Sequence, residues 1–119
     1  MEKQWSNEYG NISISENVIA KIAGISAMEC YGLVGMASRK VVQDGLADLL
    51  GMENLTKGIE VEIKDDSVEL VLCIIVEYGT NINEVAKNII DRVTYTLKND
   101  VGIRVESVNV NVKGVRVGK

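Results

Sequence analysis

Cysteine is the residue type in this sequence most able to act as a nucleophile, and the chain has two. Cys30 and Cys73 lie far apart, each inside an apolar pattern, and neither belongs to a CxxC motif or a zinc-ligand spacing. A reactive cysteine needs a base or a cationic, partly open setting, and the chain contains no histidine. The pattern therefore favours two reduced, buried cysteines over a catalytic nucleophile.

Paired carboxylates could act as general acid and general base. The candidate pairs are Asp65 with Asp66, Glu60 with Glu62, Asp44 with Asp48, and Glu69 with Glu77. Such chemistry needs two carboxylates that face each other in a cleft and have separated pKa values. The first pair is better explained by a turn and the second by the solvent-facing side of an edge strand. We therefore expect no enzyme activity, no metal and no cofactor.

Gly32 and Gly35 form a bare GxxG pattern, the form that KH domains use to clamp a nucleic-acid backbone. Together with Arg39 and Lys40, this pattern gives an alternative function, a KH-like nucleic-acid-binding domain. The residues between the glycines are leucine and valine, and the chain has a net charge of −4 and a pI near 4.8. Both facts argue against a nucleic acid as the main partner. The other interpretation is a tight helix-to-strand turn.

Basic residues gather at two places, at Arg39 and Lys40 and near the end of the chain at Lys113 and Arg116. They are candidate polar contacts for an acidic protein or for lipid headgroups. The alternative is that the basic residues near the end form a solvated tail.

Hydrophobic periodicity predicts the helices and strands that would position these residues. The order is strand 10–14, helix 16–30 after a Ser15 cap, strand 33–38, short amphipathic helix 43–50, a hairpin of strands 59–64 and 68–78, helix 81–99 closed by Gly102, and a strand from residue 108. In the last strand the alternation slips at Gly114, which indicates a bulge or a frayed exit. The order β-α-β-α-β-β-α-β predicts an α+β two-layer sandwich, with a small mixed or antiparallel sheet and two long helices on one face.

The strand 68–78 is apolar on both faces, which is typical of a central strand or of a strand with one face in an interface. Its second face carries Val71, Cys73 and Ile75. We predict a protein contact that involves this face or an apolar segment formed by Leu46, Leu49 and Leu50. The alternative is that the segment covers the face inside one monomer.

The chain of 119 residues fits one domain, 1–119. Its start has no apolar stretch of a signal peptide, and no apolar run approaches the roughly 20 residues of a membrane-spanning helix. We therefore expect a cytoplasmic protein that reaches a membrane only through a partner.

Four sequence blocks, in order along the chain, carry a family resemblance. They are GNISISENVIAKIA at 10–23, CYGLVGMA at 30–37, IVEYGTNI at 75–82 and VNVNVKGV at 108–115. Together they span nearly the whole chain, and they resemble the alkaline shock protein 23 family, of the general stress protein 24 type. The short chain is most similar to compact members from Gram-positive bacteria.

The resemblance implies no catalytic residues, because the family has no established catalytic residues. It implies a role in cell-envelope and alkaline stress. Some members are held at the membrane by a membrane-anchored partner, and some self-assemble. The genes of compact members often lie beside a gene for a fatty acid kinase. The expected function is a non-enzymatic interaction module that forms a homo-oligomer or docks on a membrane-anchored or lipid-metabolism protein.

Overall fold

A computed structural model describes residues 2–39 and 50–117. Its elements are β1 (Glu2–Asn7), β2 (Gly10–Ser15), α1 (Glu16–Met28), β3 (Leu33–Met36), a 3₁₀ helix (Met52–Gly58), β4 (Ile59–Ile63), β5 (Val68–Glu77), α2 (Ile82–Tyr95), a π-helical segment (Thr96–Val101) and β6 (Val105–Arg116). The predicted α+β class is confirmed, with a mixed sheet and both long helices on one face.

Strand β5 is the centre of the four-stranded sheet, and its neighbours occupy both of its edges. Along one edge it pairs antiparallel with β4 over its first half and with β3 over its second half. Along the other edge it pairs with β6, in parallel, from Val68 to Glu77. The parallel pairing is possible because α2 and the π-helical segment carry the chain back to the start of β5.

The main core lies between this sheet and the two helices. Alternate side chains of β5 enter it and are fully buried, namely Val68, Leu70, Leu72, Ile74 and Val76. They meet Ile19 and three alanines of α1, and Val85, Ile89 and Val93 of α2. Burial of one such aliphatic side chain contributes about 1.5–3 kcal/mol.

Helix α1 packs on several sides, as its small residues predict. The Ser15 hydroxyl accepts a hydrogen bond from the Val18 N–H at 3.3 Å, which confirms the predicted N-cap. Gly24 lies where a Cβ atom would come 3.1 Å from Ile59 and 3.4 Å from Leu55. The glycine therefore lets the 3₁₀ helix and β4 approach the axis of α1. The helix ends at Met28, two residues before the predicted Cys30.

Helix α2 is the clearest amphipathic element. The Asn81 side chain caps it by accepting from the Glu84 N–H at 3.0 Å. After the π-helical segment, Gly102 adopts a left-handed φ of 86°, and its N–H donates to the Leu97 carbonyl at 2.9 Å. The predicted helix end at Gly102 is confirmed.

The N-terminal strand β1 was not predicted. It forms a separate antiparallel hairpin with β2, in which Trp5 lies opposite Ile12. The sequence EKQWSN has one apolar residue in six, so no period-2 pattern could indicate it. Strand β3 ends at Met36, short of the predicted residue 38, and the predicted helix at 43–50 lies outside the described residues except for Leu50.

The predicted irregularity near Gly114 is confirmed as a bulge in β6. Ile74 pairs with Val112 and Ile75 with Gly114, so Lys113 is an extra residue. A second extra residue, Glu106, precedes the regular part of the strand.

We predict that Gly32→Ala destabilises the chain more than Gly79→Ala. Both glycines have left-handed φ angles, 88° and 95°, which are strained for alanine by about 1–2 kcal/mol. A Cβ at position 32 would also lie 2.6 Å from Val85, whereas position 79 is open. This overpacking should add about 1–3 kcal/mol, measured by urea unfolding. Equal losses in the two variants would contradict the contact with Val85.

Candidate interaction surfaces

The second face of β5 carries a small apolar cluster on the side of the sheet away from the helices. Cys73, Ile75 and Ala37 are buried there, with half-buried Val34 packed against them. Val71 is half-buried. The predicted interface residues are therefore largely covered within one chain, as expected for internal core. Their role as an interface stays a prediction, and the exposed contacts must be sought on other surfaces.

Of the apolar segment predicted as a second interface, only Leu50 lies within the described residues. Leu46 and Leu49 lie outside the described residues. The half-buried Leu50 packs against the main core, and its N–H donates to the Met36 carbonyl at 2.9 Å. Leu50 therefore helps to anchor the chain beside β3.

The predicted polar contacts fall at separate places. Arg39 is exposed and its Nε donates to the Lys57 carbonyl at 3.1 Å, while Lys40 lies outside the described residues. Arg39 lines a cleft of about 310 Å³, but Glu16 and Glu60 also line it and offset the positive charge. Lys113 and Arg116 are exposed near the end of β6.

The GxxG pattern does not form the exposed loop that a KH-like clamp needs. Gly32 makes the turn after α1, which confirms the helix-to-strand interpretation. Leu33 and Val34 are half-buried in β3, and Gly35 pairs with Ile75 in the sheet. Because these residues are bound into the fold, the geometry does not support the nucleic-acid alternative.

Cys30 lies in an open groove of about 430 Å³ between the end of α1 and α2. Its thiol donates to the Asn88 carbonyl at 3.8 Å, and Glu29 pairs with Arg92 at 2.8 Å beside it. Burial raises the pKa of the Cys30 thiol, and the nearby Arg92 only partly opposes this. A raised pKa lowers the thiolate fraction at neutral pH, so the thiol is a poor nucleophile. Within residues 2–39 and 50–117, no three His, Cys, Asp or Glu side chains could hold a metal ion together.

An exposed apolar surface that the sequence did not predict lies where β3 begins and β5 and β6 end. We call it the sheet-end patch, and it consists of Tyr31, Tyr78, Val115 and Val117. Two hydrogen bonds align its chain segments: the Glu77 N–H donates to the Gly32 carbonyl at 2.9 Å, and the Tyr78 N–H donates to the Arg116 carbonyl at 2.7 Å. Tyr31 is 80% exposed, Tyr78 69% and Val117 80%.

The opposite end of the sheet is charged. Lys64 Nζ lies 2.8 Å from Glu69 and 3.7 Å from Glu106, and Arg104 lies 3.6 Å from Asp66. The hydrogen bond with Lys64 lowers the pKa of the Glu69 carboxyl, and the same bond raises the pKa of Lys64. The two ends therefore differ in kind, one with exposed tyrosines and valines and the other with paired charges.

These features define an α+β domain with exposed apolar side chains at one end of its sheet and paired charges at the other. The chain belongs to the alkaline shock protein 23 family, which has a cell envelope-related function, and the family's sequence profile matches residues 4–117. In the described part of the chain, no helix has the length and apolar character to cross a membrane.

Relatives of similar length support the family assignment. The chain is 44% identical to the uncharacterized protein YloU of Bacillus subtilis over 117 residues, which cover 98% of each chain. It is 39% identical to the uncharacterized protein Spy1614 of Streptococcus pyogenes, over 91% of this chain and 89% of the relative. Among solved structures, a cadmium form of the MamM CTD shares the fold with a TM-score of 0.51 at 11% identity, over 88% of this chain and 100% of that one.

We predict that Lys64→Gln flattens the pH dependence of stability in acid. A carboxyl with a lowered folded pKa stabilises the fold above its unfolded pKa, and this contribution disappears as the pH falls below about 4.3. Without Lys64 the pKa of Glu69 should return toward its ordinary value. The variant should be less stable at pH 7 and lose less stability on acidification, as measured by urea unfolding from pH 7 to 3. Lys21→Gln, on the exposed face of α1, is the control. Equal slopes for wild type and Lys64→Gln would contradict the pairing.

Proposed function

We propose that this chain is a non-enzymatic interaction domain that acts at the cell envelope by binding other protein subunits. The subunit is a second copy of the chain, a membrane-anchored envelope protein, or a protein of lipid metabolism. The family's cell envelope-related function supports the setting, and we extend it to the response to alkaline and envelope stress. In this proposal the chain is cytoplasmic and becomes peripheral to the membrane through its partner.

The observation that carries the proposal is the sheet-end patch. An exposed apolar patch is a candidate site for binding another protein, and tyrosine is enriched where proteins bind each other. Tyrosine supplies a large apolar area and a hydroxyl with few rotatable bonds, so little entropy is lost on binding. Here Tyr78 lies between the chain segments of Tyr31 and Val117, and all of them are mostly exposed.

Charge beside the patch suggests the character of the partner. Lys113 and Arg116 are exposed on the same end of β6, next to Val115 and Val117. Positive charges at the rim of an apolar patch favour encounter with an acidic partner surface. We therefore expect the partner to present apolar side chains bordered by carboxylates.

The chemistry of the described residues supports a role without catalysis. The thiol of Cys30 has a raised pKa and Cys73 is buried, and both settings are unfavourable for a cysteine nucleophile. The carboxylates of Glu69 and Glu106 bind Lys64 in a charged network. Such an arrangement stabilises a turn between strands.

We predict that the double variant Tyr31→Ser, Tyr78→Ser loses binding to the partner while its fold is retained. Both side chains are mostly exposed, so their removal should change the free energy of unfolding by less than about 1 kcal/mol. A photoreactive residue in place of Val117 should crosslink a partner in living cells, and the double variant should reduce the yield at least about tenfold. Mass spectrometry of the crosslinked product identifies the partner.

Tyr95→Ser is the matched control for this experiment. Tyr95 is 62% exposed but lies at the other end of α2, about 20 Å from its start. Its substitution should leave the crosslink unchanged. The proposal is wrong if the purified chain is monomeric at high concentration and no protein is crosslinked from the sheet-end patch.

A further inference from the structure

The outer edge of β6 is the longest exposed strand edge in the described structure. β6 has 12 residues and pairs only with β5 among the described strands. Its other edge therefore presents backbone N–H and C=O groups that no described strand satisfies. Such an edge is a template for pairing with another strand, and natural proteins usually protect it with charges, bulges or a cover.

The features of β6 that would protect its edge from pairing lie toward its ends, and the middle of the strand lacks them. The two extra residues of the strand, Glu106 and Lys113, are both charged and both interrupt the regular pairing with β5. Between them lies the regular stretch SVNVNV, residues 107–112, which has no charge, glycine or proline. Its three valines have high β-propensity, and the stretch lacks the charges and prolines that discourage strand pairing.

The two faces of this stretch are chemically distinct. Val108, Val110 and Val112 point toward the helix side of the sheet, and their exposure increases along the strand from buried to 37%. Helix α2 lies on the same side of the sheet, and Ile82 at its start is 43% exposed. Asn109 and Asn111 are exposed on the other side. A strand added at this edge would cover the exposed valines.

We propose that residues 107–112 pair antiparallel with the same segment of a second copy, so that two sheets join into one. The inference rests on the proposed self-association and names its surface. A two-fold axis normal to the sheet brings like faces together and places Val110 opposite itself. Val108 then lies opposite Val112, and Asn109 opposite Asn111.

The charges at the ends of the stretch fit this register. With Val110 opposite itself, Glu106 lies opposite Gly114 and Lys113 opposite Ser107, so Glu106 of one copy is one position diagonally from Lys113 of the other. Arg104 and Arg116 also approach each other, but each has a carboxylate beside it. Arg104 lies 3.6 Å from Asp66, and Arg116 is in register with Glu77. Opposite charges at both ends favour the antiparallel arrangement over a parallel one, which would place like charges together.

The register predicts opposite outcomes for two double variants at exposed positions. Asn109→Lys with Asn111→Lys places like charges opposite each other across the two-fold, and should weaken the dimer about tenfold. Asn109→Lys with Asn111→Glu places opposite charges there, and should leave the dimer as tight as the wild type or tighter. Asn11→Lys with Ser13→Lys, on the exposed strand β2, is the control for added charge.

Light scattering after size exclusion over a concentration series measures the result. We expect the wild type, the lysine–glutamate variant and the control to reach twice the chain mass of 13.0 kDa, while the two-lysine variant remains a monomer over most of the series. Hydrogen exchange of the amides of residues 107–112 should slow as the wild-type concentration rises. This second measurement uses only the wild type, so its result does not depend on whether a variant folds.

Three outcomes would overturn the inference. A wild type that is monomeric throughout would do so, as would a two-lysine variant that dimerises as tightly as the wild type, or exchange at residues 107–112 that does not depend on concentration. In each case, a crosslink that depends on Tyr31 and Tyr78 would leave the proposed interaction function standing. Conversely, a wild type that dimerises through β6 but gives no crosslink from the sheet-end patch would support the inference about β6 and contradict the role of the patch.

Discussion

The hydrogen bonding of strand β5 on both of its edges is the constraint on which the rest of the structure depends. A strand with apolar side chains on both faces must be covered above and below, and its backbone groups must be satisfied on both sides. β6 satisfies one edge along its whole length, and β4 and β3 share the other. Each helix then takes its position from the side chains that β5 presents to the main core.

Once β5 is enclosed, exposed apolar side chains and unpaired backbone groups remain at the periphery of the described sheet. Its end exposes Tyr31 and Tyr78 because the turns at Gly32 and Gly79 carry these residues beyond the last paired positions. Its lateral edge exposes β6 because the helices lie over the sheet face and not beside it. The most exposed apolar side chains of this region therefore lie outside the core that stabilises the fold.

This separation of the exposed apolar side chains from the packed core is consistent with a domain that binds other proteins. Substitutions at exposed positions such as Tyr78 or Asn111 can change a binding surface with little effect on the packed core, whereas Gly32 or Leu72 cannot change so freely. The charged network around Lys64 closes the opposite end of the sheet, where β4 turns into β5. One end of the sheet thereby carries paired charges, and the other exposes the sheet-end patch.

The sequence by itself determined the elements and the family, because side-chain periodicity and capping residues act locally. Ser15 and Gly102 indicated helix ends, the alternation of residues 59–64 and 68–78 indicated a hairpin, and the slip at Gly114 indicated a bulge or a frayed exit. It did not indicate β1, whose single tryptophan stabilises a strand only when β2 pairs with it. Only the tertiary structure decided that the face of β5 with Cys73 and Ile75 is covered within one chain, and that β6 lies at an edge of the described sheet. These outcomes depend on which distant segments pair, and the hydrogen bonds of such pairing leave no periodic pattern in the chain.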